Sequence, residues 1–138
     1  MLDLGTGAAA DLARLGFDLW ASTPDPDPIR EAVADIVGEQ EAARRVTTAR
    51  LDALGYPDEF ADWAALTLSP ADDPVPVLRE VRRVLRPGAW VWVYASDRSM
   101  ADLARHAAEA NLAIAEEPTA RDGGATAIFR RVGEGVGA

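Results

Sequence analysis

Arg86-Pro87-Gly88-Ala89-Trp90-Val91-Trp92-Val93-Tyr94-Ala95 is the stretch whose reading decides the fold. Proline and glycine together stop a helix. The run from Ala89 to Ala95 that follows is short, apolar and rich in valine and aromatic residues, the composition of a strand. Because it does not alternate with polar residues, it predicts a central strand covered on both faces, as in a parallel sheet. On its N-terminal side, Pro74 to Leu85 carries Val77, Leu78, Val81, Val84 and Leu85 at helical spacing and is expected to stop at Pro87-Gly88. On its other side, Met100 to Ala110 reads as a further helix. A helix, a buried strand and a helix in succession are one period of an α/β protein.

The same alternation extends in both directions. Leu2 to Leu4 reads as a first strand, Ala8 to Leu15 as a helix ended by Gly16, and Asp18 to Ser22 as a second strand. Thr23-Pro24-Asp25-Pro26-Asp27-Pro28 is a rigid acidic turn into a helix from about Ile29 to Val37. Arg45 to Leu51 and Asp62 to Leu68 read as third and fourth strands, joined by the loop Gly55-Tyr56-Pro57-Asp58-Glu59 with little or no helix between them. Leu112 to Glu116 and Ala125 to Val132 close the pattern around Arg121-Asp122-Gly123-Gly124. Residues 1–132 are therefore expected to form one domain and Gly133 to Ala138 a flexible tail.

Composition removes several chemistries. The chain has no cysteine, so disulfides, thiolate metal sites and cysteine nucleophiles are excluded. All 14 basic residues are arginine, which leaves no lysine for a Schiff base or a phosphate-binding P-loop. A net charge of −9 disfavours nucleic acid, whose binding relies on cations neutralising phosphates. His106 is the single histidine, read as solvent-facing, and no clustered spacing predicts a metal site. No apolar run is long enough to cross a membrane, and Met1 to Gly5 does not read as a signal peptide, so a soluble, cytoplasmic protein is expected.

Chemistry is expected first at Leu2-Asp3-Leu4-Gly5-Thr6-Gly7-Ala8-Ala9, a strand running into a glycine turn that opens a helix. Glycine lets backbone approach a ligand, and the free N–H groups of a helix start face polar ligand atoms. Alone, the turn is equally compatible with a tight structural connection. A second segment adds to it: Leu78-Arg79-Glu80-Val81-Arg82-Arg83-Val84-Leu85-Arg86-Pro87-Gly88-Ala89-Trp90 closely resembles the helix, Pro-Gly turn and fifth strand of class I S-adenosylmethionine-dependent methyltransferases. Asp72-Asp73-Pro74 resembles the entry to that helix, Leu54-Gly55-Tyr56-Pro57-Asp58 the loop before the fourth strand, and Asp62-Trp63-Ala64-Ala65-Leu66 the strand itself. The resemblance covers essentially the whole chain.

It implies a Rossmann-like three-layer α/β sandwich around a mostly parallel seven-stranded sheet ordered 3-2-1-4-5-7-6, with the last strand antiparallel. It also implies S-adenosylmethionine as cofactor and a small-molecule acceptor. Asp3, Gly5, Thr6 and Gly7 would line the methionine end. The ribose position falls on Thr23 without gaps, or on Asp25 after a shift of two residues; a carboxylate there would accept two hydrogen bonds from the ribose hydroxyls. The acidic adenine-side position falls on Arg50, with Asp52 as its substitute, while the family's third glycine falls at Ala9. The segment after the fourth strand, Thr67-Leu68-Ser69-Pro70-Ala71, is short and offers no base; methyl transfer does not strictly need one, since aligning donor and acceptor is the main task.

These departures keep open a degenerate methyltransferase-like module without cofactor, acting in structure or protein interaction. A dinucleotide oxidoreductase fits less well. The family usually carries a cap before its first strand, packed on strands four and five, where Trp63, Trp90 and Trp92 lie. A homodimer covering that face is therefore expected.

Overall fold

The computed structural model describes residues 1–5 and 8–132. The chain runs through β1 (Leu2–Leu4), α1 (Ala9–Arg14), β2 (Trp20–Thr23), α2 (Asp27–Val37), α3 (Glu39–Arg45), β3 (Val46–Thr48), β4 (Ala61–Leu68), α4 (Pro74–Val84), β5 (Leu85–Ser96), α5 (Met100–Glu109), β6 (Leu112–Arg121) and β7 (Gly124–Arg131). Its strands form one seven-stranded sheet in the order β3-β2-β1-β4-β5-β7-β6. Neighbours from β3 to β5 are parallel, and β7 alone runs antiparallel, against both β5 and β6. This is the order that the resemblance implied.

One face of the sheet holds the larger core. Leu2, Leu4, Leu66, Leu68, Val91, Val93 and Phe129 are buried there against Val77, Leu78, Val81 and Val84 of α4 and Leu103 and Ala107 of α5. On the other face a smaller cluster joins Ala21 and Val46 to Ala9, Val33 and Ala42 from α1, α2 and α3. That cluster takes no residue from β4 or β5. Among the described residues this side of β5 is open, with Trp90 43% exposed and Trp92 and Tyr94 half-buried. The expected cover on both faces of β5 is thus corrected to cover on one; alternation is present but hidden, because the outward positions are aromatic rather than polar.

Other boundaries move for identifiable reasons. Residue 45 ends a helix instead of opening the third strand: α3 has Glu39 and Glu41 in its first turn and Arg44 and Arg45 in its last, which suits the helix dipole. β3 is correspondingly reduced to Val46–Thr48. α4 stops at Val84, not at Pro87-Gly88, because Leu85 already pairs with Ala61; the next paired residues are Trp63 and Trp90, so Arg86 to Ala89 bulge out between them. β6 extends to Arg121 and returns through the two-residue turn Asp122-Gly123. α5 begins as read, with the Ser99 hydroxyl accepting from the Asp102 N–H at 3.1 Å.

Polar contacts lock this frame. Glu80 of α4 accepts from the Leu54 N–H at 2.6 Å and from Arg83 Nε at 2.6 Å, and Arg83 also reaches Asp58 at 2.7 Å. They pin the loop before β4 to the helix. Arg131, only 6% exposed, donates to the carbonyls of Leu85 at 2.6 Å and Arg82 at 3.1 Å, closing the end of α4 onto β7.

Candidate functional site

β1 lies where the strand order reverses, with β2 on one side and β4 on the other. In open α/β sheets, ligands bind in the crevice outside the carboxyl ends of the strands at such a switch point. Asp3 sits in the middle of β1, fully buried, paired with Ala21 of β2 and Ala65 of β4. Gly5 follows at the end of the strand with φ +81°, a conformation that strongly favours glycine. A Cβ added there would meet nothing within 4 Å, so Gly5 faces open space. Thr6 and Gly7 lie outside the described residues.

Thr23 is the last residue of β2 and is buried, with its carbonyl accepting from the Ala49 N–H at 3.2 Å. Its hydroxyl accepts from the Asp25 N–H at 3.4 Å. The Asp25 side chain is exposed at the same end of the sheet. Asp52 stands in the loop after β3, where Arg50 grips it through two bonds, Nε to Oδ1 at 3.0 Å and Nη2 to Oδ2 at 2.8 Å. Gly5, Thr23, Asp25 and Asp52 therefore all follow the carboxyl ends of adjacent strands, while Asp3 lies below them inside the sheet.

Of two neighbouring residues, sequence reasoning read Asp72 only as part of a helix entry and did not single out Arg98. The loop after β4 is closed on itself by Asp72, whose carboxylate accepts from the Ser69 N–H at 2.8 Å and the Ser69 hydroxyl at 3.1 Å. Arg98, in the loop after β5, donates to the Asp72 carbonyl at 2.8 Å and ties the two loops together. The contact spans 26 residues of sequence, so no local pattern announces it. Tyr56 anchors rather than lines: its hydroxyl accepts from Ser22 Oγ at 2.8 Å, and its ring stacks on Phe60 at 4.8 Å. His106 is half-buried in α5 rather than solvent-facing, and α5 packs on the face remote from α1 and α2.

The sequence pattern of a family described as "Methyltransferase domain" matches residues 2–93, two-thirds of the chain and all of β1 to mid-β5. The chain belongs to the methyltransferase-domain family. Among solved structures, this methyltransferase-domain protein is similar to an S-adenosylmethionine-dependent methyltransferase of Methanosarcina mazei, with 17% identity, 96% of this chain and 92% of that one covered, and a TM-score of 0.72. It is also similar to geranyl diphosphate C-methyltransferase of Streptomyces coelicolor A3(2), solved with Mg2+, geranyl diphosphate and S-adenosyl-L-homocysteine (12% identity, 95% and 72% covered, TM-score 0.74). A third similar structure is the [4+2]-cyclase SpnF (18% identity, 96% and 74% covered, TM-score 0.67). No curated protein sequence matches the chain. At such identities the likeness establishes the methyltransferase fold, and no helix among the described residues is long and apolar enough to cross a membrane.

Proposed function

We propose that this methyltransferase-domain protein transfers a methyl group from S-adenosylmethionine to a small-molecule acceptor, at the carboxyl edge of β1 to β4. The observation that carries the reading is the open glycine turn at Gly5, directly after a buried β1 at the sheet's switch point. The residues there suit the cofactor. Backbone at Gly5 is approachable, and an exposed carboxylate at Asp25 suits a ribose diol, which offers two donors.

In this reading Gly5, with Thr6 and Gly7 as the family resemblance implies, receives the methionine end. Asp25 accepts from the ribose hydroxyls, with Thr23 bonded to its backbone, and Asp52 borders the adenine side under the hold of Arg50. When bound, the cofactor supplies a methyl group already activated on a sulfonium. What remains for the protein is to align an acceptor with it and exclude water. The loop Ser69–Asp72, fixed by Asp72 and Arg98, forms the acceptor side. We further propose that the protein works in the cytoplasm and as a homodimer through the open face of β4 and β5.

Titration calorimetry with S-adenosylmethionine and S-adenosylhomocysteine tests the reading. Affinity in the micromolar range is expected. A folded sample that takes up neither ligand at millimolar concentration would overturn it and favour an interaction module without cofactor.

A further inference from the structure

We propose that Arg98 anchors the acceptor by holding a carboxylate of it at the carboxyl ends of β4 and β5. This rests on the methyl-transfer reading above and adds to it the chemical class of the molecule that is methylated.

β4 ends at Leu68 and β5 at Ser96; Arg98 follows two residues later, just ahead of the Ser99 cap of α5. Its guanidinium crosses to the neighbouring loop, where Nη2 donates to the carbonyls of Asp72 at 2.8 Å and Ser69 at 3.4 Å. Two neutral carbonyls fix the group in place but leave its charge uncompensated. Nε is buried with no partner, and Nη1 bonds nothing among the described residues. The carboxylates near it in sequence do not neutralise it. Asp72 is bonded to Ser69, Asp102 pairs with Arg105 at 3.1 Å, and Asp73 and Asp97 stand exposed without an ion pair to Arg98.

Arg79, Arg86 and Arg130 also lack a carboxylate partner among the described residues, but they are exposed and water solvates their charge. Arg98 is half-buried. A cation partly withdrawn from water, with one donor nitrogen buried and unmet, is costly unless an anion offsets it. A ligand anion would do so through a charge-assisted bond from Nη1. The available donors also select the kind of anion. One free terminal nitrogen and one positive charge, with the exposed Asp73 and Asp97 in the flanking loops, suit a monoanion. A phosphate brings close to two negative charges and three oxygens that want donors, and among the described residues no second cation bonds to either loop. A carboxylate fits.

Amide-resolved NMR on the full chain, free and saturated with S-adenosylhomocysteine, tests this with benzoate and its uncharged isostere benzamide. Benzoate should shift the Ser69, Asp72 and Arg98 amides saturably in both states. It should bind at least ~10-fold more tightly than benzamide, the scale of one charge-assisted hydrogen bond. Arg98→Gln keeps a donor for the two carbonyls but loses the charge, and should abolish that preference. Arg98→Lys should keep the preference to within about 3-fold of wild type, because it keeps the charge. A chain that binds S-adenosylhomocysteine but shows no preference for benzoate would overturn the proposal. So would a preference that survives Arg98→Gln, an Arg98→Lys chain no better than Arg98→Gln, or benzoate displaced by S-adenosylhomocysteine. Benzoate held at Arg98 by a chain that takes up no S-adenosylhomocysteine would instead overturn the methyl-transfer reading, and the acceptor role with it.

Discussion

Asp25 and Asp52 follow neighbouring strands, yet their carboxylates are in different states of engagement. Both oxygens of Asp52 are already taken by Arg50, while the Asp25 side chain stands exposed beyond β2. Among the described residues nothing bonds the Asp25 carboxylate, so a ligand can use it without displacing one of them. Asp25→Ala should therefore weaken S-adenosylhomocysteine binding by about 1.5–3 kcal/mol, the range for a hydrogen bond to a charged group, and Asp52→Asn by less, as calorimetry on both variants would show. Elsewhere, carboxylates are used for stability. The Arg45 guanidinium, by direct hydrogen bond, holds Asp18 below the usual carboxylate range, and Arg44 followed by Arg45 does the same for Glu41. A carboxyl whose folded pKa is depressed adds stability above its unfolded pKa, and that contribution disappears as pH falls through the folded value. The urea midpoint should accordingly drop as pH goes from about 5 to about 3, and Arg45→Met should flatten that drop. An Arg45→Met chain with the wild-type slope would contradict the assignment.

At the scale of elements, α4 and the β5–β7 pair organise the molecule. Glu80→Gln weakens the grip on the Leu54 N–H and on Arg83, and is expected to cost about 1–3 kcal/mol of stability, read as a lowered thermal midpoint. Gly124 opens β7 so close to β5 that a Cβ would lie 2.2 Å from the Ala95 carbonyl oxygen. Gly124→Ala forces the two strands apart and should cost about 1–3 kcal/mol or more in a denaturant titration. The helix α4 and the strand after it were legible because Val77, Leu78, Val81 and Val84 repeat at helical spacing and Trp90 to Tyr94 is continuously apolar. The Leu78 to Trp90 stretch also carries the family resemblance, and its Glu80 and Arg83 turn out to be the clamp. By contrast, α3 was not legible: it buries only Ala42, so no apolar period marks it, and its ends are set by charge. The amino-edge bulge at Arg86 to Ala89 depends on how β5 meets Ala61, a non-local contact that a sequence window does not contain.

The whole molecule divides by edge. At the carboxyl edge stand Gly5, Thr23, Asp25 and Asp52, the residues singled out by resemblance; the Asp72–Arg98 tie beside them joins loops distant in sequence and needed the folded chain to be found. On β4 and β5 the tryptophans were recognised in the sequence as surface left uncovered, and Trp90 is 43% exposed there. The central claim is that the open turn after β1 receives a sulfonium nucleoside. For a chain of 14.7 kDa, an amide-resolved NMR titration with S-adenosylhomocysteine tests it residue by residue. The account predicts saturable shifts at Gly5, Thr23, Asp25 and the Arg50–Asp52 segment, with the Trp63–Trp90 edge unmoved; saturable shifts confined to other surfaces, or none at millimolar ligand, would contradict it.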